Sequence, residues 1–206
     1  MDDKKLKTGT TTVGLVGKDG VVFAADKRAT MGYLIASKTV TKIQPISDYI
    51  AMTIAGSVGD AQTLVKWMSV QIKTYEVEKE TTMPVSAAAS LLSSVLASNK
   101  YFPFWVQILI GGFDTKPHLF SVDMLGGMTE EKKTATGSGS PFAYGVIDTN
   151  YNEKKPVSDL VPIATKAVWA AMQRDTATGE FIDVFTITKK GMKRYSKEEI
   201  TRFLNI

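Results

Sequence analysis

The chain has 206 residues, 44% of them hydrophobic and 22% charged, with 16 glycines and 7 prolines; this is ordinary globular usage and excludes a collagenous or disordered character. One domain is the expectation at this length, burying about 70% of the surface that the unfolded chain exposes. The net charge of +4 is scattered rather than clustered, so nucleic acid is not an expected partner; the absence of cysteine removes disulfides, thiolate metal sites and a Cys nucleophile, and the single histidine, His118, leaves little room for a Ser-His-Asp relay.

In chain order, residues 1–9 are polar and lack the apolar stretch of a secretory signal. No later apolar run reaches membrane-spanning length, so the expectation is a soluble, cytoplasmic protein with no membrane partner. Residues 10–16 are rich in Thr and Val, and 21–25 repeat that character after Gly17-Lys18-Asp19-Gly20, whose Asp-Gly step predicts a hairpin. Strand-like runs follow at 34–37, 39–44 and 49–55, separated by Pro45 and Ser47-Asp48. After Gly56 the period changes: Ala61, Leu64, Val65, Met68, Ile72 and Tyr75 recur at three- and four-residue spacing, which predicts an amphipathic helix over 58–78. Pro84 opens a second helix running to about Asn99, since a missing N–H costs nothing in a first turn.

Strands return at 105–112 and 117–122, and the Leu125-Gly126-Gly127 turn sends the chain toward another near Thr134. Helices are predicted from Ser140 and from Ser158, whose hydroxyl is expected to cap the run 160–172. A last hairpin pairs 181–188 with 192–195 around Lys189-Lys190-Gly191, and Ser196-Lys197-Glu198-Glu199 is a capping box for a terminal helix. This order is not the strict βαβ alternation of a parallel sheet; two antiparallel sheets with helices outside them fit. Smaller features take plain readings. His118 is a structural or surface histidine, Lys27 a surface charge, and Lys189-Lys190 a solvated turn. Tyr101-Phe102-Pro103-Phe104-Trp105 reads as an aromatic strand entrance packed in the core, with a contact patch as the alternative, and Asp60 is an early-helix charge or an interface residue.

Gly9-Thr10-Thr11-Thr12-Val13-Gly14 reads first as a strand start in which Thr serves β propensity. It also answers a chemical need, because cutting after Gly9 gives Thr10 a hydroxyl and a free α-amine on one residue. An α-amine titrates at about 7.7 to 8.0, where a general base is most useful, and a nearby ammonium lowers it further. Gly9, without a side chain, allows close approach to its carbonyl. Asp26-Lys27-Arg28-Ala29-Thr30 follows a buried-looking strand; Lys42, expected in another strand between Val40 and Ile43, needs a carboxylate once taken from water, and Asp26 is placed to supply it.

Together with Thr30, Gly56, Ser138 and Asp175, these residues resemble the β-type subunits of the 20S proteasome, threonine proteases of the N-terminal nucleophile hydrolase class, and especially the archaeal type. The likeness continues through Thr53-Ile54-Ala55-Gly56, Gly59-Asp60-Ala61-Gln62, Gly137-Ser138-Gly139-Ser140-Pro141 and Gln173-Arg174-Asp175 to Ile182-Asp183-Val184. An ordered set of this length is specific where a lone TTTVG is not.

The resemblance implies an α+β fold, a four-layer α/β/β/α sandwich of two antiparallel sheets flanked by helices. It implies one catalytic domain over 10–206 behind a leader, 1–9, removed by autolysis between Gly9 and Thr10. Thr10 is then the nucleophile, Lys42 tunes it and Asp26 holds Lys42; the Gly56 N–H serves the oxyanion, and Ser138 and Asp175 orient the amine. Thr178 stands where many relatives carry Ser; it keeps the hydroxyl and adds a methyl, and a supporting part is implied for it. Thr30 binds substrate backbone, while Ala29, Val40, Ile54 and Val58 line the pocket for the side chain before the cut, all apolar, which predicts cleavage after hydrophobic residues. No metal or organic cofactor is implied. The implied partners are proteasome α-type subunits and other β-type subunits in stacked seven-membered rings, a regulatory ATPase ring, and unfolded protein substrates. The rival readings are a non-catalytic β-type subunit that only builds the ring, against which Gly9, Thr10, Asp26 and Lys42 argue, and a small-amide hydrolase acting alone.

Overall fold

Strand β1 (Thr12–Gly17) turns through the two-residue loop Lys18-Asp19 into β2 (Gly20–Asp26), with Gly17 opposite Gly20, as the Asp-Gly step predicts. In this computed structural model, which describes residues 9–204, β2 is buried along its whole length and shows why period-two patterning builds layers. Val22 and Ala24 face a helical layer; Val21, Phe23 and Ala25 face a second sheet.

The chain continues through a small hairpin of β3 (Ala29–Met31) and β4 (Leu34–Ser37), then β5 (Ile43–Pro45) and β6 (Ile50–Gly56). Helices α1 (Val58–Lys79) and α2 (Val85–Ser98) follow, then β7 (Val106–Phe113), β8 (Pro117–Val122), β9 (Met128–Glu130) and β10 (Lys133–Thr136). After α3 (Ser140–Asn150) and α4 (Val157–Met172) come β11 (Ile182–Thr188), β12 (Gly191–Arg194) and α5 (Lys197–Leu204). One five-stranded antiparallel sheet has the order β10-β1-β2-β11-β12 and the other β5-β6-β7-β8-β9.

The layers follow from which faces are apolar. Leu64, Met68, Leu92 and Leu96 of α1 and α2 pack on Met52, Ile54, Ile108 and Ile110 of the second sheet. Ala143, Ile147, Leu160, Ala164 and Val168 of α3 and α4 pack on Val13, Leu15, Val22 and Val184 of the first. Between the sheets lie Phe23, Ala51, Leu109, Leu119 and Ile187. Truncating the fully buried Phe23 to alanine costs about 3–5 kcal/mol, because neighbours in both sheets lose their contact. The expected four-layer sandwich is therefore the architecture. One polar cluster crosses the apolar mid-layer: the Thr12 hydroxyl lies 2.7 Å from that of Thr136 and 3.1 Å from that of Thr53, and Thr53 also accepts the Leu109 N–H.

Several local expectations are corrected. Lys42 precedes β5 and residues 39–42 are irregular, so it stands in a loop rather than a strand. Ser158 does not cap α4; the first helical N–H, on Val157, goes to Asp19 Oδ1 at 2.8 Å, and the Ser158 hydroxyl turns to Asp159. The segment 101–105 is not core, since Tyr101, Phe102 and Trp105 are all exposed. Lys27 is not a free surface charge: its ammonium is 3.1 Å from Asp183. The strands β3 and β9 are additions to the predicted set. The capping box is as expected, with the Ser196 N–H donating to Glu199 Oε2 at 2.7 Å and the Glu199 N–H to Ser196 Oγ at 3.3 Å. Asp60 in the first turn of α1 accepts the Trp105 N–H, and His118 lies against Glu130 at 2.7 Å and stacks on Phe120. Residues 1–8 of the expected leader lie outside the described residues.

Candidate active site

Asp26 ends β2, where the chain leaves the sheet, and its side chain is fully buried. Oδ1 accepts from Lys42 Nζ at 2.7 Å and from the Thr11 N–H at 3.0 Å; Oδ2 accepts from the Arg28 N–H at 3.1 Å and from the Gly179 N–H at 3.0 Å. A carboxylate offers about four acceptor positions, and here all are filled. Lys42 is itself only 3% exposed. Burial pushes its ammonium below the ordinary 10.5, and the adjacent Asp26 carboxylate opposes that without cancelling it.

Thr10 stands two residues before β1. Its N–H, a peptide N–H with Gly9 attached, points at Ser138 Oγ at 3.3 Å. Ser138, between β10 and α3, donates to Asp175 Oδ2 at 2.6 Å, and the Thr178 hydroxyl donates to the same oxygen at 2.6 Å. With its proton so committed, Thr178 accepts from the Thr11 hydroxyl, 2.7 Å away. The Thr10 hydroxyl donates to the Gly9 carbonyl at 2.6 Å, and the Gly9 N–H donates to the Thr30 hydroxyl at 3.1 Å. Gly9 has no room for a side chain: a Cβ there would fall 1.8 Å from that of Ala177.

A cavity of about 360 Å³ opens in front of this group. Gly9, Thr10, Thr30, Lys42 and Gly56 reach it, and Ala29, Val40, Ile54 and Val58 line it as well. Asp26, Ser138, Asp175 and Thr178 do not; they stand behind Thr10 and Lys42. Gly56 has φ +118 and would place a Cβ 2.1 Å from the Trp105 carbonyl, so only glycine fits this end of β6. Ser57 next to it caps α1 by accepting the Asp60 N–H.

Not everything here was legible. Ser37, Thr39, Thr41, Gln44 and Gln62 give the cavity a polar side that the apolar prediction lacks. Gln44, two residues past Lys42, is the one that alternation could have found. Thr11 was available in the Thr10-Thr11-Thr12 run, whereas nothing in local sequence announces the backbone donors on Asp26.

A hydroxyl set against a carbonyl, a buried lysine of lowered pKa and an ordered Ser-Asp-Thr group can together carry acyl transfer without a metal. Residues 6–187 match the family model described as proteasome subunit. The chain belongs to the proteasome subunit family. The Proteasome subunit beta of Archaeoglobus profundus is 52% identical over 203 residues, covering 98% of this chain and 94% of that protein. Those of Methanocaldococcus fervens, 50% over 200 residues (96% and 89%), and Methanohalophilus mahii, 48% over 206 residues (99% and 98%), are similar throughout. The two-sheet sandwich is accordingly the proteasome form of the N-terminal nucleophile hydrolase fold, and the subunit is a threonine endopeptidase of the archaeal β type. Among the described residues of the subunit no helix is long and apolar enough to cross a membrane.

Proposed function

We propose that Thr10 is the nucleophile of this endopeptidase and that residues 1–9 are a leader which the same residue removes. The observation that carries the reading is the Thr10 hydroxyl, 2.6 Å from the Gly9 carbonyl oxygen, at a cavity that also holds the buried Lys42. In the autolytic step the Thr10 oxygen attacks the Gly9 carbonyl carbon through a five-membered ring. The C–O bond forms, the C–N bond breaks, and the hydroxyl proton ends on the Thr10 nitrogen. Water then cleaves the ester, returning the hydroxyl and releasing a Gly9 carboxylate.

The new amine takes the position of the peptide nitrogen beside Ser138, with Asp175 and Thr178 orienting it, and acts as general base on the hydroxyl. Lys42, held by Asp26, lowers the amine's proton affinity through its own charge. The Gly56 N–H stabilises the oxyanion, and Thr30 aligns substrate backbone. The pocket lined by Ala29, Val40, Ile54 and Val58 favours hydrophobic side chains before the cut. Residues 10–206 form the working domain, inside a barrel of stacked seven-membered rings capped by α-type subunits and fed with unfolded protein by an ATPase ring in the cytoplasm.

N-terminal sequencing and peptide hydrolysis on particles assembled with α-type subunits test this. The expected result is Thr10 as first residue, hydrolysis faster after Leu, Tyr or Phe than after Arg or Asp, and none with Thr10→Ala. An active particle whose β-type chains keep Gly9, or activity surviving Thr10→Ala, overturns it.

A further inference from the structure

Asp26 and the Asp175–Thr178 pair play separate parts at the site, yet both depend on one short loop. Residues 175–180 carry the Asp175 and Thr178 side chains at one end and the Gly179 N–H, a donor to Asp26, at the other. Arg28, whose own N–H also donates to Asp26, reaches across this loop with its side chain. Its Nη1 donates to the Thr176 carbonyl at 2.8 Å, while Nε and Nη2 both donate to Glu180 Oε1, at 3.3 and 3.1 Å. The guanidinium lies so close over Gly179 that a Cβ there would come within 2.3 Å of Cζ.

Glu180 adds an independent sign. It and Glu80 are the only non-glycine residues with positive φ among those described, at 72° and 52°. Glu80 terminates α1, where a left-handed residue is common. Glu180 has no such reason, and a backbone of this kind persists only where its surroundings over-determine it. Here the surroundings are the Arg28 fork, with Lys38 at 3.8 Å from the other carboxylate oxygen.

We infer that Arg28 and Glu180 are positioning residues: their ion pair clamps the 175–180 loop, so that one end keeps the Asp26 carboxylate on Lys42 and the other keeps Asp175 under Ser138. Neither lines the cavity, so the clamp acts on turnover rather than on substrate binding. The inference rests on the reading of Thr10 as nucleophile.

The test uses assembled particles whose β-type chains begin at Thr10. Arg28→Ala should lower kcat for a fluorogenic peptide about tenfold to a hundredfold, the scale of a small misplacement, with KM within about twofold. Millimolar guanidinium should restore much of the rate and methylammonium should not, because only a planar fork spans Thr176 and Glu180. Glu180→Gly relieves the left-handed backbone, so that particle should assemble normally and still lose kcat. Wild-type kcat in either variant, a loss confined to KM, or no response of Arg28→Ala to guanidinium overturns the clamp. Activity surviving Thr10→Ala would remove the nucleophile assignment itself; a dead Thr10→Ala beside a fully active Arg28→Ala would remove the clamp alone.

Discussion

Asp26 on β2 and Asp183 on β11 are both almost fully buried, both paired with a lysine, and one step out of register across the same ladder, so they face opposite sides of the sheet. Their surroundings differ in kind. Asp26 takes three backbone N–H groups and a lysine that is itself buried. Asp183 takes only side chains, Lys27 at 3.1 Å and Arg194 at 2.7 Å, and the Arg194 side chain is 53% exposed. Backbone donors cannot swing away, and water screens a lysine that is 3% exposed far less than one on the surface. The Asp183 cluster ties β11 to β12 and to the residue that follows β2, whereas the Asp26 cluster fixes one charged atom at the edge of the cavity that Thr10 also lines.

Asp26→Asn attacks the first cluster most directly. The amide cannot balance the Lys42 charge, and its NH₂ meets N–H donors that have lost their acceptor; breaking a buried pair in this way costs about 3–5 kcal/mol. Peptide turnover should fall by more than about a hundredfold, with a lower melting temperature of the particle. Turnover close to wild type would show that the two aspartates are equivalent after all. The pH profile of kcat gives a second, smaller separation. Lys42 sits below its ordinary 10.5 because of burial, so its charge helps at lower pH and is lost as pH rises through the lowered value. The alkaline limb should therefore lie below 10.5, and a rate still level at that pH would contradict the assignment. The smallest effect is expected at the second cluster. Asp183→Asn should cost about 1–2 kcal/mol, discounted for the solvent that reaches Arg194, and leave kcat within about twofold. A larger loss of turnover than of thermal stability would erase the distinction.

Much of the frame is legible in the chain because its signals are local. The Asp19-Gly20 step, the three- and four-residue spacing from Ala61 to Tyr75 and the Ser196–Glu199 box each predict the element that forms. β9 escaped because all three of its residues are exposed, so no alternation marks it. The Lys27 reading failed for another reason: its partner lies 156 positions away, and nothing near Lys27 distinguishes a solvated lysine from a paired one. The aromatic run 101–105 shows the converse, since hydrophobic type alone does not reveal which side of the sandwich a loop crosses. At the site, the residue types and their order suggested Thr10, Lys42 and Asp26, but three of the four donors on Asp26 are main-chain groups, to which side-chain identity is blind.

The threonine cluster of Thr12, Thr53 and Thr136 has a consequence for how the layers behave as a solid. Apolar contacts between the sheets attract without a preferred direction, whereas a hydroxyl pair has one. The 3.1 Å contact between Thr12 and Thr53 joins the two sheets, while the 2.7 Å contact to Thr136, on the strand beside β1 in the same sheet, orients the Thr12 hydroxyl. Thr12 and Thr53 thus act as a dowel, marking one point of register between the strand that follows Thr10 and the strand that ends in Gly56 within an otherwise apolar layer.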